Sequence, residues 1–307
     1  MRTLPLITLT LAPLFGCSEY EYNERVVTDV FHQPVDESKS DVLFVIDNSA
    51  SMGEEQERLA SNFAAFTDIL LSSTTDFRLG VITTDPGEGG QMRGAWLDAD
   101  TASLEEAFSA AVSVGTSGDR DERGMEVASL AVDASVNPGF LRSDAALNVV
   151  FFSDEDDHSP NAVADYLDLL YSRAGRGGFA AHAIVGDLPD GCVAGSIAAD
   201  PSSRYIEAAL LTGGFRDSIC APDYTDILAR IGLGVSGLLD TFELSRLPDN
   251  TTLRVWVDNV EMPQREVDGW TYSHGDNAVV FHGRAVPRSG MEVLVEYELI
   301  LGHAAED

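Results

Sequence analysis

Three oxygen-bearing side chains stand at alternate positions in Asp47-Asn-Ser-Ala-Ser51. Alternate residues of an extended turn point the same way, so the Asp47 carboxylate and the Ser49 and Ser51 hydroxyls converge. An all-oxygen set of this kind suits a hard cation, Mg²⁺ or Ca²⁺. A second acidic stretch, Asp154-Glu-Asp-Asp157, closes an apolar run. Like charges packed together either take up protons or collect a cation. Within that stretch Glu155, Asp156 and Asp157 read as a solvated loop.

Catalytic constellations fare poorly. The chain has no Gly-x-Ser-x-Gly turn for a serine nucleophile. An aspartyl-phosphate phosphotransferase needs a second acid two residues after the first, where Ser49 stands. His158 reads as a surface histidine on the acidic loop, and His182, inside an apolar strand, as a satisfied core histidine. The expectation is a binding protein and no enzyme.

The elements that must position these groups alternate in type. Asp41-Val-Leu-Phe-Val-Ile-Asp47 is a short apolar run bounded by acids, as in a strand buried on both faces of a parallel sheet. Leu59, Phe63, Phe66 and Leu70 then mark one helix stripe. Residues 77–83, 147–153 and 179–185 read as further strands, and 122–135, 159–173 and 224–238 as helices. The alternation predicts an α/β fold, a doubly wound, mostly parallel sheet flanked by helices, with sites at the carboxyl ends of the strands. After Leu239 the period becomes two, as in Leu253, Val255 and Val257, which predicts a small C-terminal antiparallel β module.

Charge narrows the partners. Against 51 Asp and Glu stand 19 Lys and Arg, a formal −32, with Lys39 the sole lysine. Such a surface repels phosphate backbones, so nucleic acid is excluded and cations are the natural small partners.

Asp47-x-Ser49-x-Ser51 at a strand-to-helix junction, followed by Met52-Gly53, resembles the metal-ion-dependent adhesion site of von Willebrand A and integrin I domains. Asn48, Thr83-Thr-Asp85 and Ser153-Asp-Glu-Asp-Asp157 look like the secreted A-domain lipoproteins of myxobacteria and relatives, and the likeness covers about residues 40 to 240. It implies Asp154, after the fourth core strand, as the second carboxylate. A threonine from the loop before the fourth helix completes the family's set. Here that loop is Gly115-Thr-Ser-Gly-Asp-Arg-Asp121, and counting back from Gly124 puts Asp119 in the threonine's place. Thr116 or Ser117 serves instead if the loop is laid out differently. The implied metal set is Asp47, Ser49, Ser51, Asp119 and Asp154, with an open coordination position that takes an acidic side chain from a protein partner. The alternative is an envelope scaffold in which the metal only steadies the loops.

Arg2 is followed by an uncharged apolar run from Leu4 to Phe15, too short to span a bilayer but of signal-peptide length. Leu14-Phe-Gly-Cys17 resembles a bacterial lipobox, which implies lipidation of Cys17 and attachment to a membrane through that lipid. Ser18 resembles an outer-membrane sorting signal, so the expected place is the cell envelope, as an outer membrane lipoprotein. Cys192 and Cys220 are the two remaining cysteines, and in an exported chain such a pair reads as a disulfide, two free buried thiols being the other arrangement. The expected organisation is signal and lipobox 1–17, tether 18–39, A-type domain 40–240 and β module 241–307.

Overall fold

The computed structural model describes residues 26–33, 38–119, 121–174 and 178–299. The signal, Cys17 and the first part of the expected tether lie outside the described residues. The elements are β1 (Val26–His32), β2 (Lys39–Ile46), α1 (Gly53–Asn62), α2 (Ala64–Ser72), β3 (Asp76–Thr83), α3 (Leu104–Val112), α4 (Gly124–Ala131), β4 (Ala146–Ser153), α5 (Val163–Arg173), β5 (Phe179–Val185), β6 (Cys192–Ala194), β7 (Ile197–Ala199), α6 (Ser203–Thr212), β8 (Arg216–Ser218) and α7 (Thr225–Ser236). The tail adds β9 (Thr241–Glu243), β10 (Arg254–Val257), β11 (Val260–Glu261), β12 (Trp270–Ser273), β13 (Ala278–Phe281) and β14 (Glu292–Glu298).

β2 explains the architecture. Val42, Phe44 and Ile46 face one hydrophobic cluster, with α1, α2, α3 and α7, while Leu43 and Val45 face another, with α4, α5 and α6. Both faces are covered, so the strand is apolar at every position from Val42 to Ile46; each fully buried side chain of this size contributes roughly 1.5–3 kcal/mol. The sheet order is β3-β2-β4-β5-β8, and every pairing is parallel. The stripe Leu59, Phe63, Phe66, Leu70 is buried as expected, but the helix breaks at Phe63 into α1 and α2. Residues 104–112 and 203–212, unassigned by periodicity, are helices α3 and α6. Cys192 and Cys220, 28 residues apart, form a disulfide.

The tail is a sandwich of two antiparallel sheets, β1-β14-β10-β11 and β12-β13-β9, around Val255, Trp270, Val279, Val293 and Val295. Here the expected tether needs correction. Residues 26–32 form β1, paired with β14 from Val26↔Glu298 to His32↔Glu292. Val27 and Phe31 pack against the sandwich core, and Phe31 lies 5.4 Å from Phe242 between ring centroids. The sandwich core also takes in Ile69 of α2 and Leu238 after α7. Buried Gln33 fastens the joint: its amide donates to the carbonyls of Leu239 and Pro287, and its Oε1 accepts from the Leu239 N–H.

Candidate metal centre

The chain leaves β2 for β3 on one side and reaches β4 on the other, so the crevice between β2 and β4 opens at a point where strand order reverses. Asp47 and Asp154 follow these two strands directly, and the Asp47 N–H donates to the Phe152 carbonyl at 2.9 Å. Asp47 is fully buried. Its Oδ1 accepts the Ser49 N–H at 2.7 Å and its Oδ2 the Ser153 hydroxyl at 2.6 Å. Ser49 Oγ and Ser51 Oγ stand 3.2 Å apart. Asp154 is 3% exposed, hydrogen-bonded to Ser51, and its buried Oδ1 has no partner. The turn and the second strand end therefore bring Asp47, Ser49, Ser51 and Asp154 together.

The third loop closes over this turn. Gln56 Nε2 donates to the carbonyls of Asp47 and Gly115, both at 2.9 Å, and the Gly118 N–H donates to the Asn48 carbonyl at 2.8 Å. A Cβ on Gly118 would stand 2.2 Å from Asn48 Oδ1, so a larger residue there would have to displace that buried side chain. Thr116 reaches α1, its methyl 3.7 Å from where a Cβ on Gly53 would be. Asp119 is exposed at the rim, where its N–H donates to Asp85 and its Oδ1 accepts the Asp121 N–H.

Two buried acids escaped sequence reasoning. Glu122 is fully buried, accepts the Thr84 hydroxyl on one oxygen, and has no partner for the other, Oε1. Glu55, in the first turn of α1, is 2% exposed with Oε2 unpartnered. The sequence placed Glu122 only at the start of a helix and Glu55 only beside a helix stripe, and nothing local distinguishes them from surface acids. The reading of 155–157 as solvated also fails. Asp157 is buried, accepts from the Met125 N–H and Ser159, and pairs with Arg204 at 3.0 Å; Asp156 accepts the N–H groups of Ser203 and Arg204 at the start of α6. This loop ties α4 and α6 to the sheet. His182 is the core histidine expected, bonded to Asn148 and to the Phe215 N–H, and burial pulls it down to about 4.

Electrostatics sets the strand ends apart. Burial raises Asp47, against hydrogen bonds from Ser153 and Ser49 that favour its charged form. Asp154 is pushed up to about 7 by burial, reinforced by the charges of Asp47 and Glu55. Glu122 is pushed up to about 9, again by burial, with Asp47 the strongest charge acting on it. The charges that act most on Asp154 and Glu122 are all negative. Buried oxygens without donors and carboxylates without a counter-charge are what a cation satisfies. Among the described residues no three His, Cys, Asp or Glu side chains converge closely enough to hold an ion alone. The donor set is a mixed one, two carboxylates with two hydroxyls, and it fits a hard divalent ion.

No protein-family model matches the chain, and no curated protein matches it in sequence. Solved structures do. The pilus adhesin SpaC from Lactobacillus rhamnosus GG superposes over 89% of this chain and 41% of its own at 13% identity, with a TM-score of 0.50. The von Willebrand factor type A protein of Catenulispora acidiphila aligns over 91% of this chain and 62% of its own at 15% identity and a TM-score of 0.41. An aerotolerance-related membrane protein of Bacteroides fragilis aligns over 65% and 97% at 14% identity and 0.40. The chain thus spans about two fifths of the adhesin and about three fifths of the Catenulispora protein. The parallel sheet with helices on both faces is the fold of von Willebrand A-type domains.

Proposed function

Given a von Willebrand A-type fold, we propose that this chain holds one divalent cation, Mg²⁺ or Ca²⁺, at Asp47, Ser49, Ser51 and Asp154, and through it grips an acidic side chain of a protein partner. The unpartnered, buried Oδ1 of Asp154 beside Asp47 is the observation that carries this reading. The cation supplies a coordination bond to a partner's carboxylate. The chain's own residues do the rest. Ser153 and the Ser49 N–H hold the Asp47 carboxylate in one orientation, and Gln56 pins the third loop, with Thr116 and Asp119, above the turn. The role is binding without turnover.

The proposed place is the cell envelope outside the cytoplasm, with a lipid on Cys17 as the anchor. The Cys192–Cys220 disulfide suits an oxidising compartment. Among the described residues no helix is long and apolar enough to cross a membrane. One protein of this fold, SpaC, is a pilus adhesin, a role of the same kind.

Capture of envelope proteins by the full chain, with and without EDTA, tests the reading. The expected result is capture that EDTA abolishes, that Ca²⁺ or Mg²⁺ restores, and that Asp47→Ala removes while the thermal midpoint in EDTA stays unchanged. Capture indifferent to EDTA would leave the cation, at most, the loop-steadying role it has in a scaffold.

A further inference from the structure

Resting on that reading, we infer that Glu122 is the negative charge the third loop adds to the cation site, standing behind the direct ligands, and that Glu122 rather than Asp119 strengthens cation binding from this loop.

Its placement supports this. Glu122 has no exposed surface, yet one carboxylate oxygen has no partner at all. The other is held by the Thr84 hydroxyl, and Thr84 is itself fixed to the central sheet: its N–H donates to the Ile46 carbonyl, one residue before Asp47, and its carbonyl accepts the Arg123 N–H. The carboxylate is thus tethered beside the end of β2, and Asp47 is the charge acting on it most strongly. A buried carboxylate needs a counter-charge, and its strongest charged neighbours, Asp47, Glu155 and Asp85, are all acidic. A cation at Asp47 and Asp154 would meet that need. Asp119, by contrast, is exposed, and its Oδ1 is engaged by the Asp121 N–H.

Carboxylates that do not touch a metal but orient or charge its surroundings commonly change affinity by ~10–100-fold when removed. Glu122 is in this sense a positioning residue. With it, the occupied site carries a net −1 instead of neutrality, which tightens the hold on the ion and leaves a partner's acidic group to be drawn by the open coordination position alone.

The test is calorimetric titration of the full chain with CaCl₂ and with MgCl₂ at neutral pH, together with melting in EDTA. Glu122→Gln keeps the size and the bond from Thr84 while removing the charge. The expected result is a loss of at least ~10-fold in affinity, with a melting temperature in EDTA no lower than that of the unaltered chain, because the amide keeps the size of the side chain and can still accept from Thr84. Asp119→Asn should stay within about threefold, as for a screened surface charge, and Thr84→Val should weaken binding by freeing Glu122. A Glu122→Gln chain that binds as well as the unaltered one overturns the inference and leaves the site at Asp47 and Asp154 intact. A Glu122→Gln chain that melts lower in EDTA with unchanged affinity makes Glu122 a structural acid and also overturns it. If the unaltered chain takes up neither ion, the cation reading itself falls, and this inference with it.

Discussion

The two ends of β2 each bury an aspartate completely, and they solve the problem differently. At the amino end, Asp41 receives the Arg142 guanidinium Nε at 2.8 Å and the Arg142 N–H at 2.6 Å, and the same side chain reaches the carbonyls of Ser40 and Asp76. At the carboxyl end, Asp47 receives a serine hydroxyl and one N–H and faces Asp154. Burial outweighs the partners at both ends and raises both acids. What differs is the counter-charge: one end carries its cation within the chain, and at the other the proposed counter-charge is a cation from solution. The adjoining acids repeat the lesson, since Asp157 is paired with Arg204 and Asp154 is not.

The comparison can be broken most forcefully at its matched end. Arg142→Ala should strip Asp41 of its partner and cost ~3–5 kcal/mol in urea unfolding; a loss below about 1 kcal/mol would show that the pairing does not hold the strand end together. The next effect belongs to the other end. Ca²⁺ at a hundredfold excess over its Kd should stabilise the EDTA-stripped chain by about 2.7 kcal/mol. Asp47→Asn should erase that gain while leaving stability in EDTA undiminished, and a variant that still responds to the ion would place the site elsewhere.

A smaller effect appears with pH. Because Asp154 is raised to about 7 in the fold, its neutral form favours folding below the ordinary carboxylate range, and that advantage is lost as pH rises through about 7. In EDTA the melting temperature should therefore fall between pH 5 and pH 7.5, as this group alone directs, and Asp154→Asn should flatten the fall; an equally steep decline in that variant would assign it to other groups. The smallest change is expected at the exposed Lys39–Asp144 pair near the amino end of β2. Lys39→Ala should leave the melting temperature within scatter, because solvent screens the pair.

The parallel sheet was legible because β2, β4 and β5 are mostly apolar, a pattern that burial on both faces demands. Asp47, Ser49 and Ser51 were legible because the spacing that makes them converge is local. β1 was not. Asp29 points into the sandwich with its neighbours Val27 and Phe31, where it accepts from Ser245 and Tyr297, so a charge interrupts the apolar alternation. α6 was hidden by Leu210 and Leu211, apolar but exposed, which blur the helical period. Glu122 was invisible for a different reason: its environment is made by Thr84 and Asp47, 38 and 75 positions away, and no window along the chain brings them together.

The clasp of β1 by β14 has a mechanical consequence. A pull on the segment before Val26 would meet the β1–β14 ladder first and then Gln33, which locks the sandwich to the end of α7. Tension passing further would run along β2, whose far end is Asp47. β2 is hydrogen-bonded in register to β3 on one side and β4 on the other, so such a load would shear both ladders at once instead of opening one bond at a time. With the proposed anchor and partner in place, force between them would thus pass along β2 and the two ladders it shares.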